Sequence, residues 1–211
     1  MIRYLYADQL AEYPLLAQTM FRDRATQFHD RQGWDVTVNE AGEERDEYDD
    51  LNPLYVIWES EDGRHGGSMR FLPTTGRTMV NEHFTDLLGG GTVESPLIWE
   101  CTRFCLAPKA DARISAALML AGGEIMTGFG IKHFVGVFDA RMVRIYRLIG
   151  AAPEILGTSG SGREAISVGL WNFSDRLRMT VAQSAKLSPD LARQWFNRAF
   201  GHPAAQVFAV A

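Results

Sequence analysis

The run Glu43-Glu44-Arg45-Asp46-Glu47-Tyr48-Asp49-Asp50 places six carboxylates in eight positions. Like charges this close repel, so such a run is either a solvated acidic loop or one wall of a charged site. Residues elsewhere point to the second. Arg24 interrupts the stripe Leu16, Met20, Arg24, Phe28, four apart on what reads as the apolar face of a helix. Arg70 lies within the apolar run 66–72, and Glu100 and Arg103 lie within 97–106. Charges in apolar settings are costly unless paired. Either Arg24 snorkels, with its head in water, or it is buried and paired. We expect these groups to meet in one cleft that binds something carrying both signs of charge.

The elements that must position them follow from periodicity and breakers. Residues 2–6 read as a first strand and 9–31 as a helix ended by Gly33. Residues 34–53 lack regular pattern, but Trp34, Val36, Val38 and Tyr48 would anchor them, so we expect a lid or wall of a site. Residues 54–59 and 66–72 form a hairpin about Glu61-Asp62-Gly63. A short helix over 80–88 carries Phe84, and Gly89-Gly90-Gly91 links it to 97–106, apolar on both faces like a central strand. Glu100 and Arg103 have opposite parity there, so both enter one cleft only if a bulge lies between them. Helix 112–129, strand 133–138, helix 140–149, a glycine-rich turn over 157–162, a last strand 164–171 and helices 174–187 and 189–200 complete the chain. This order predicts a mixed α/β sandwich, a central sheet with helices on both sides.

A length of 211 residues suits one domain, 1–211. The formal charge of −5 argues against nucleic acid as a partner. No apolar run reaches spanning length and no signal peptide is visible, so a cytoplasmic location is expected. Cys101 and Cys105, four apart, would share a side of the strand as reduced core thiols. Five histidines without ligand spacing predict no metal site.

Several separated blocks resemble one family: Met20-Phe21-Arg22-Asp23-Arg24 with Phe28, Gly33-Trp34-Asp35-Val36, Glu44-x-Asp46-x-Tyr48-Asp49, Met69 to Gly76, Phe84, and Ile98-Trp99-Glu100-x-x-Arg103-Phe104. On these the chain resembles the acyl-homoserine-lactone (autoinducer) synthases of quorum sensing, across about residues 20–106. The second half resembles them in layout only. The resemblance implies a three-layer α-β-α sandwich similar to the N-acetyltransferase superfamily. It implies two substrates, S-adenosylmethionine and a fatty acyl group on acyl carrier protein, and no cofactor. The amine is acylated, the carboxylate displaces the sulfonium to close a lactone, and methylthioadenosine leaves. Carried over by position, the functional residues are Arg24, Phe28, Trp34, Glu44, Asp46, Asp49, Arg70, Phe84, Glu100 and Arg103. Asp46 and Asp49 would serve the cationic end and hold Arg24 and Arg70. Phe28, Trp34 and Phe84 would line the pocket. Glu100, or else Glu44, would act as base, directly or through one water, and the 97–106 backbone would stabilise the oxyanion.

Two departures bear on the donor. Residues 107–113 lack the glycine-rich pyrophosphate loop of acetyltransferases, which favours a carrier protein over acyl-CoA. Family members making 3-oxo products tend to carry a threonine on the strand matching 133–138, and its absence here leans toward a product unsubstituted at C3. Lys132, Arg141, Arg144 and Arg147 could supply a basic patch for an acidic carrier, or a solvated helix face. An N-acetyltransferase using acyl-CoA on a small amine, and a non-catalytic sensor of S-adenosylmethionine or an acyl chain, remain the rival readings.

Overall fold

A computed structural model describes residues 1–201. Strands β1 (Ile2–Tyr6), β2 (Leu54–Glu59), β3 (His65–Pro73), β4 (Ile98–Leu106), β5 (His133–Asp139), β6 (Glu154–Ser159) and β7 (Ile166–Trp171) form one sheet in the order β1-β2-β3-β4-β5-β7-β6. Helices α1 (Pro14–Ala25) and α2 (Met79–His83) cover one face. Helices α3 (Arg113–Phe129), α4 (Ala140–Ile149), α5 (Asp175–Ala185) and α6 (Pro189–Phe200) cover the other. This is the expected three-layer sandwich.

Side-chain alternation assigns the faces. Ile2, Tyr4, Leu54, Val56, Met69 and Phe71 pack against α3 and α6, while Leu5, Tyr55 and Ile57 meet Leu16, Met20 and Phe21 of α1. Arg70, between Met69 and Phe71, therefore points to the α1 side.

The sheet is antiparallel except where β4 meets β5, and that pairing covers only Ile98–Glu100 against His133–Val135. Beyond it the two strands share no register. On the other side of β4, Ser68 and Arg70 pair with Cys105 and Thr102, so two steps on β3 span three on β4. The extra residue is Arg103, at φ 52, a conformation costly for a side chain with a Cβ. This is the bulge that the parity of Glu100 and Arg103 demands. It also corrects the expectation for the thiols. Cys101 joins Met69 on the α3 side while Cys105, paired with Ser68, faces α1, so the two free cysteines lie on opposite faces.

Other boundaries differ from expectation. Pro14 restarts the first helix after a 3-10 turn over Ala7–Glu12, and Thr26–Arg31 widen into a π-helical turn. Phe84 splits the 80–88 segment into α2 and a 3-10 turn, Thr85–Leu88. The strand β6 was not anticipated: it is an exposed edge bent at Gly157, with Thr158 and Ser159 after the bend. A Cβ at Gly157 would lie 1.7 Å from the Leu87 carbonyl, so glycine lets this edge touch the turn after α2.

Candidate active site

Three arginines from three elements converge on the acidic loop. From α1, Arg24 donates from Nε to Glu44 Oε2 at 2.5 Å, and its terminal nitrogens straddle Asp49 at 3.0 and 2.9 Å. From β3, Arg70 grips both Asp46 oxygens, reaches Asp49 Oδ1 at 2.7 Å, and donates from Nε to Thr102 Oγ1 at 3.1 Å. From the β4 bulge, Arg103 reaches Glu44 Oε1 at 2.9 Å and Asp46 Oδ2 at 2.8 Å. Tyr55 adds a hydroxyl donor to Asp49.

Arg24 and Arg70 are 1% and 0% exposed, which rules out snorkelling. Fork-shaped guanidiniums on carboxylates suit a rigid buried cluster. Three positive groups against Glu44, Asp46 and Asp49 leave it formally neutral. Burial alone would raise the Asp49 carboxyl, but Arg24 and Arg70 hold it well below the carboxylate range. Burial likewise opposes ionisation of Asp46, and Arg70 and Arg103 override it. The loop is pinned rather than loose: Glu44 N donates to the Phe21 carbonyl, and Val38 pairs with Glu44.

Above this floor lies a cavity of about 800 Å³, large enough for a metabolite. Loop residues 34–37 and 44–50 form one wall, as expected, with Phe28, Met79 and Phe84 on others. Phe28 and Trp34 stack at 5.2 Å with 10° between their planes, and the Arg103 guanidinium sits 5.4 Å from the Phe28 centroid. A narrower apolar space of about 70 Å³ lies against α3, lined by Met69, Phe71, Met119, Met126, Phe134 and Trp171. The two share Thr102, Arg103, Phe104, Val137 and Tyr146, so they meet where β4 and β5 part. Such an arrangement can seat a doubly charged head group on one side of the sheet and an apolar chain on the other.

The profile of the family described as autoinducer synthase matches residues 9–181. The chain belongs to this family. An acyl-homoserine-lactone synthase of Rhizobium etli is 39% identical over 195 residues, covering 89% of this chain and 92% of the relative. This autoinducer synthase is accordingly an acyltransferase of the acyl-homoserine-lactone synthase kind. Its fold is similar to that of the CoA-dependent synthase BjaI, whose structure holds SAM and isopentyl-CoA (TM-score 0.78, 23% identity, 89% of this chain and 90% of that one). A putative N-acetyltransferase from Lactobacillus plantarum shares the fold at TM-score 0.54 and 13% identity, over 82% of this chain and 99% of that one.

Of the residues singled out in the synthase's sequence, Arg24, Asp46, Asp49, Arg70, Arg103 and Glu44 form one network, and Phe28, Trp34 and Phe84 line the cavity beside it. Glu100 stands apart. It is buried and absent from the cavity wall, and its carboxylate caps α2, accepting from Val80 N at 2.6 Å and Met79 N at 3.1 Å. Met79, whose amide donates to Glu100, lines the cavity where Glu100 does not. Glu44 does line the cavity, but both its oxygens already accept guanidinium hydrogens. Lys132 precedes β5 and is exposed, whereas Arg144 and Arg147 are exposed on α4, which begins at the opposite end of that strand; Arg141 pairs with Asp139. Sequence reasoning missed Tyr55 and Thr102, which tie the ion network to β2 and β4 and whose parity with Arg70 was the available signal. It also missed Tyr146, for which a helix-face reading gave no signal.

Proposed function

We propose that the large cavity binds S-adenosylmethionine and that the enzyme acylates its amine from an acyl carrier protein thioester. The amine nitrogen attacks the thioester carbon and the carrier thiolate leaves. The carboxylate oxygen then displaces the sulfonium, closing the homoserine lactone and releasing methylthioadenosine. The observation that carries this reading is the neutral six-group cluster flooring a cavity whose aromatic wall, Phe28 on Trp34, suits a sulfonium and an adenine ring. Asp49, Arg24 and Arg70 are the rigid base of the pocket. Asp46, Glu44 and Arg103 present the charges nearest the ligand.

A thioester is attacked only by a neutral amine, so a base is required. Burial raises the Glu100 carboxyl to about 7 despite its two amide hydrogen bonds, which suits a base working near neutrality. Its place behind the wall supports relay through one water. Arg103 and Phe104 lie outside the registered pairs on both sides of β4, which supports their backbone as the oxyanion donor. The narrow apolar space would take the acyl chain.

The start of α3 supports a carrier protein over acyl-CoA. Asp111 takes the Arg113 amide, the Ile114 and Ala110 amides are bonded within the turn, and Pro108 has none. A pyrophosphate there would meet the Asp111 carboxylate, which disfavours it. Arg144 and Arg147, with Lys132 farther away, would meet the acidic carrier. The free thiols Cys101 and Cys105 accord with a cytoplasmic enzyme.

Purified enzyme given S-adenosylmethionine and a C8 donor on either carrier protein or CoA, read by mass spectrometry, should release acyl-homoserine lactone and methylthioadenosine, faster with the carrier. Faster turnover of acyl-CoA would reverse the donor assignment, and absence of methylthioadenosine with both would reject the reading. Arg103→Lys keeps the bulge occupied but loses the fork onto Glu44 and Asp46. It should raise KM for S-adenosylmethionine about tenfold, the effect of one lost charge-assisted contact, and an unchanged KM would remove Arg103 from the pocket's recognition.

A further inference from the structure

Tyr146 is 5% exposed, yet among the described residues its hydroxyl makes no hydrogen bond. The phenol oxygen is not fully enclosed: the ring is packed while the hydroxyl keeps access to the adjoining cavities, with its donor uncommitted. The ring is held edge-on by Phe138 at 5.3 Å and Trp171 at 5.1 Å, so it has little freedom to seek a partner elsewhere. It lines both the large cavity and the narrow apolar space, standing with Val137 where β4 and β5 part. The rest of the narrow space is hydrocarbon, aromatic or thioether, apart from backbone, the Cys101 thiol, the shared Thr102 and Arg103 edge, and Asn172.

We infer that the Tyr146 hydroxyl donates a hydrogen bond to an oxygen on C3 of the acyl chain, so that the enzyme selects 3-oxo or 3-hydroxy donors over unsubstituted ones. This deepens the synthase reading and rests on it. The C1 carbonyl must lie in the large cavity beside the amine and the bulge backbone. A donor at the crossing between the two spaces addresses the chain just beyond C1. Thioester chains grown by condensation carry their next oxygen at C3. The expectation of an unsubstituted product weighed only β5, whose residues 134–138 offer no hydroxyl; here the hydroxyl comes from α4 instead.

The test compares wild type and Tyr146→Phe on three carrier-bound C8 donors with CH2, C=O or CHOH at C3, scoring kcat/KM by released lactone. Wild type should prefer the oxygenated donors. In Tyr146→Phe the ratio of oxygenated to unsubstituted kcat/KM should fall about tenfold, as for one neutral hydrogen bond lost in a dry site. An equal loss on all three would assign the phenol to the thioester carbonyl or to packing, and an unmoved ratio would leave it without a ligand; either overturns the inference. If neither protein makes lactone from any donor, the synthase reading itself fails, and that outcome is distinct from the other two.

Discussion

Glu100→Gln is expected to lower kcat by about 10²–10⁴-fold, the range for a general base, while S-adenosylmethionine affinity changes little. The base form of Glu100 is the carboxylate, and its carboxyl is raised to about 7 by burial, with the Val80 and Met79 amides opposing. Wild-type kcat/KM should therefore climb through pH 7 and level off above it, and the variant should lose that limb. The same shift has a stability signature of opposite direction. A carboxyl whose folded value lies above its ordinary 4.5 contributes stability that is full below that value and fades as pH rises through about 7. Wild type should thus lose stability relative to Glu100→Gln between pH 5 and 8. Wild-type turnover in the variant, measured at pH 8, would take Glu100 out of the mechanism.

Arg70→Ala should cost about 3–5 kcal/mol, as removal of one member of a buried ion cluster does. It strands Asp46 and part of Asp49 in a site where burial penalises their charge. Asp49→Asn should cost a similar amount, and the pair together less than the sum, because both remove the same contact. The Asp49 carboxyl is held below its ordinary range by Arg24 and Arg70, against the pull of burial, so its contribution is present above that range and is lost as pH falls into strong acid. Denaturant unfolding of the two single variants and the double variant checks this. Strict additivity, or single losses below about 0.5 kcal/mol, the scale of a solvated surface site, would show that the charges act independently.

Which parts were legible in the sequence follows from how strongly each residue type objects to its setting. Arg24 in a Leu16–Met20–Phe28 stripe had to snorkel or find a buried partner, and the structure gives it two partners. The bulge at Arg103 followed from parity alone, because Glu100 and Arg103 could not otherwise face the same side. Glu100 lies on the face of the sheet that carries Arg70, but its carboxylate is turned to α2 rather than into the cavity wall. Its capping of α2 depends on a tertiary approach of Met79 and Val80 that no local pattern encodes. The strand β6 escaped because its second half, Gly157-Thr158-Ser159, looks like a loop until β7 pairs with it. Tyr146 escaped because helical spacing marks a face as buried without saying that the space beneath is hollow.

Among the described residues, the sheet divides the enzyme into a polar compartment and an oily one that meet along the seam between β4 and β5. Substitutions at Met119, Met126 or Phe134 reshape the oily side without reaching the ion pairs, which are screened by the strands themselves. On the proposed assignment of the two spaces, a lineage built on this plan would change the message it broadcasts, one methylene at a time, while the machinery that makes the lactone ring stays as it is.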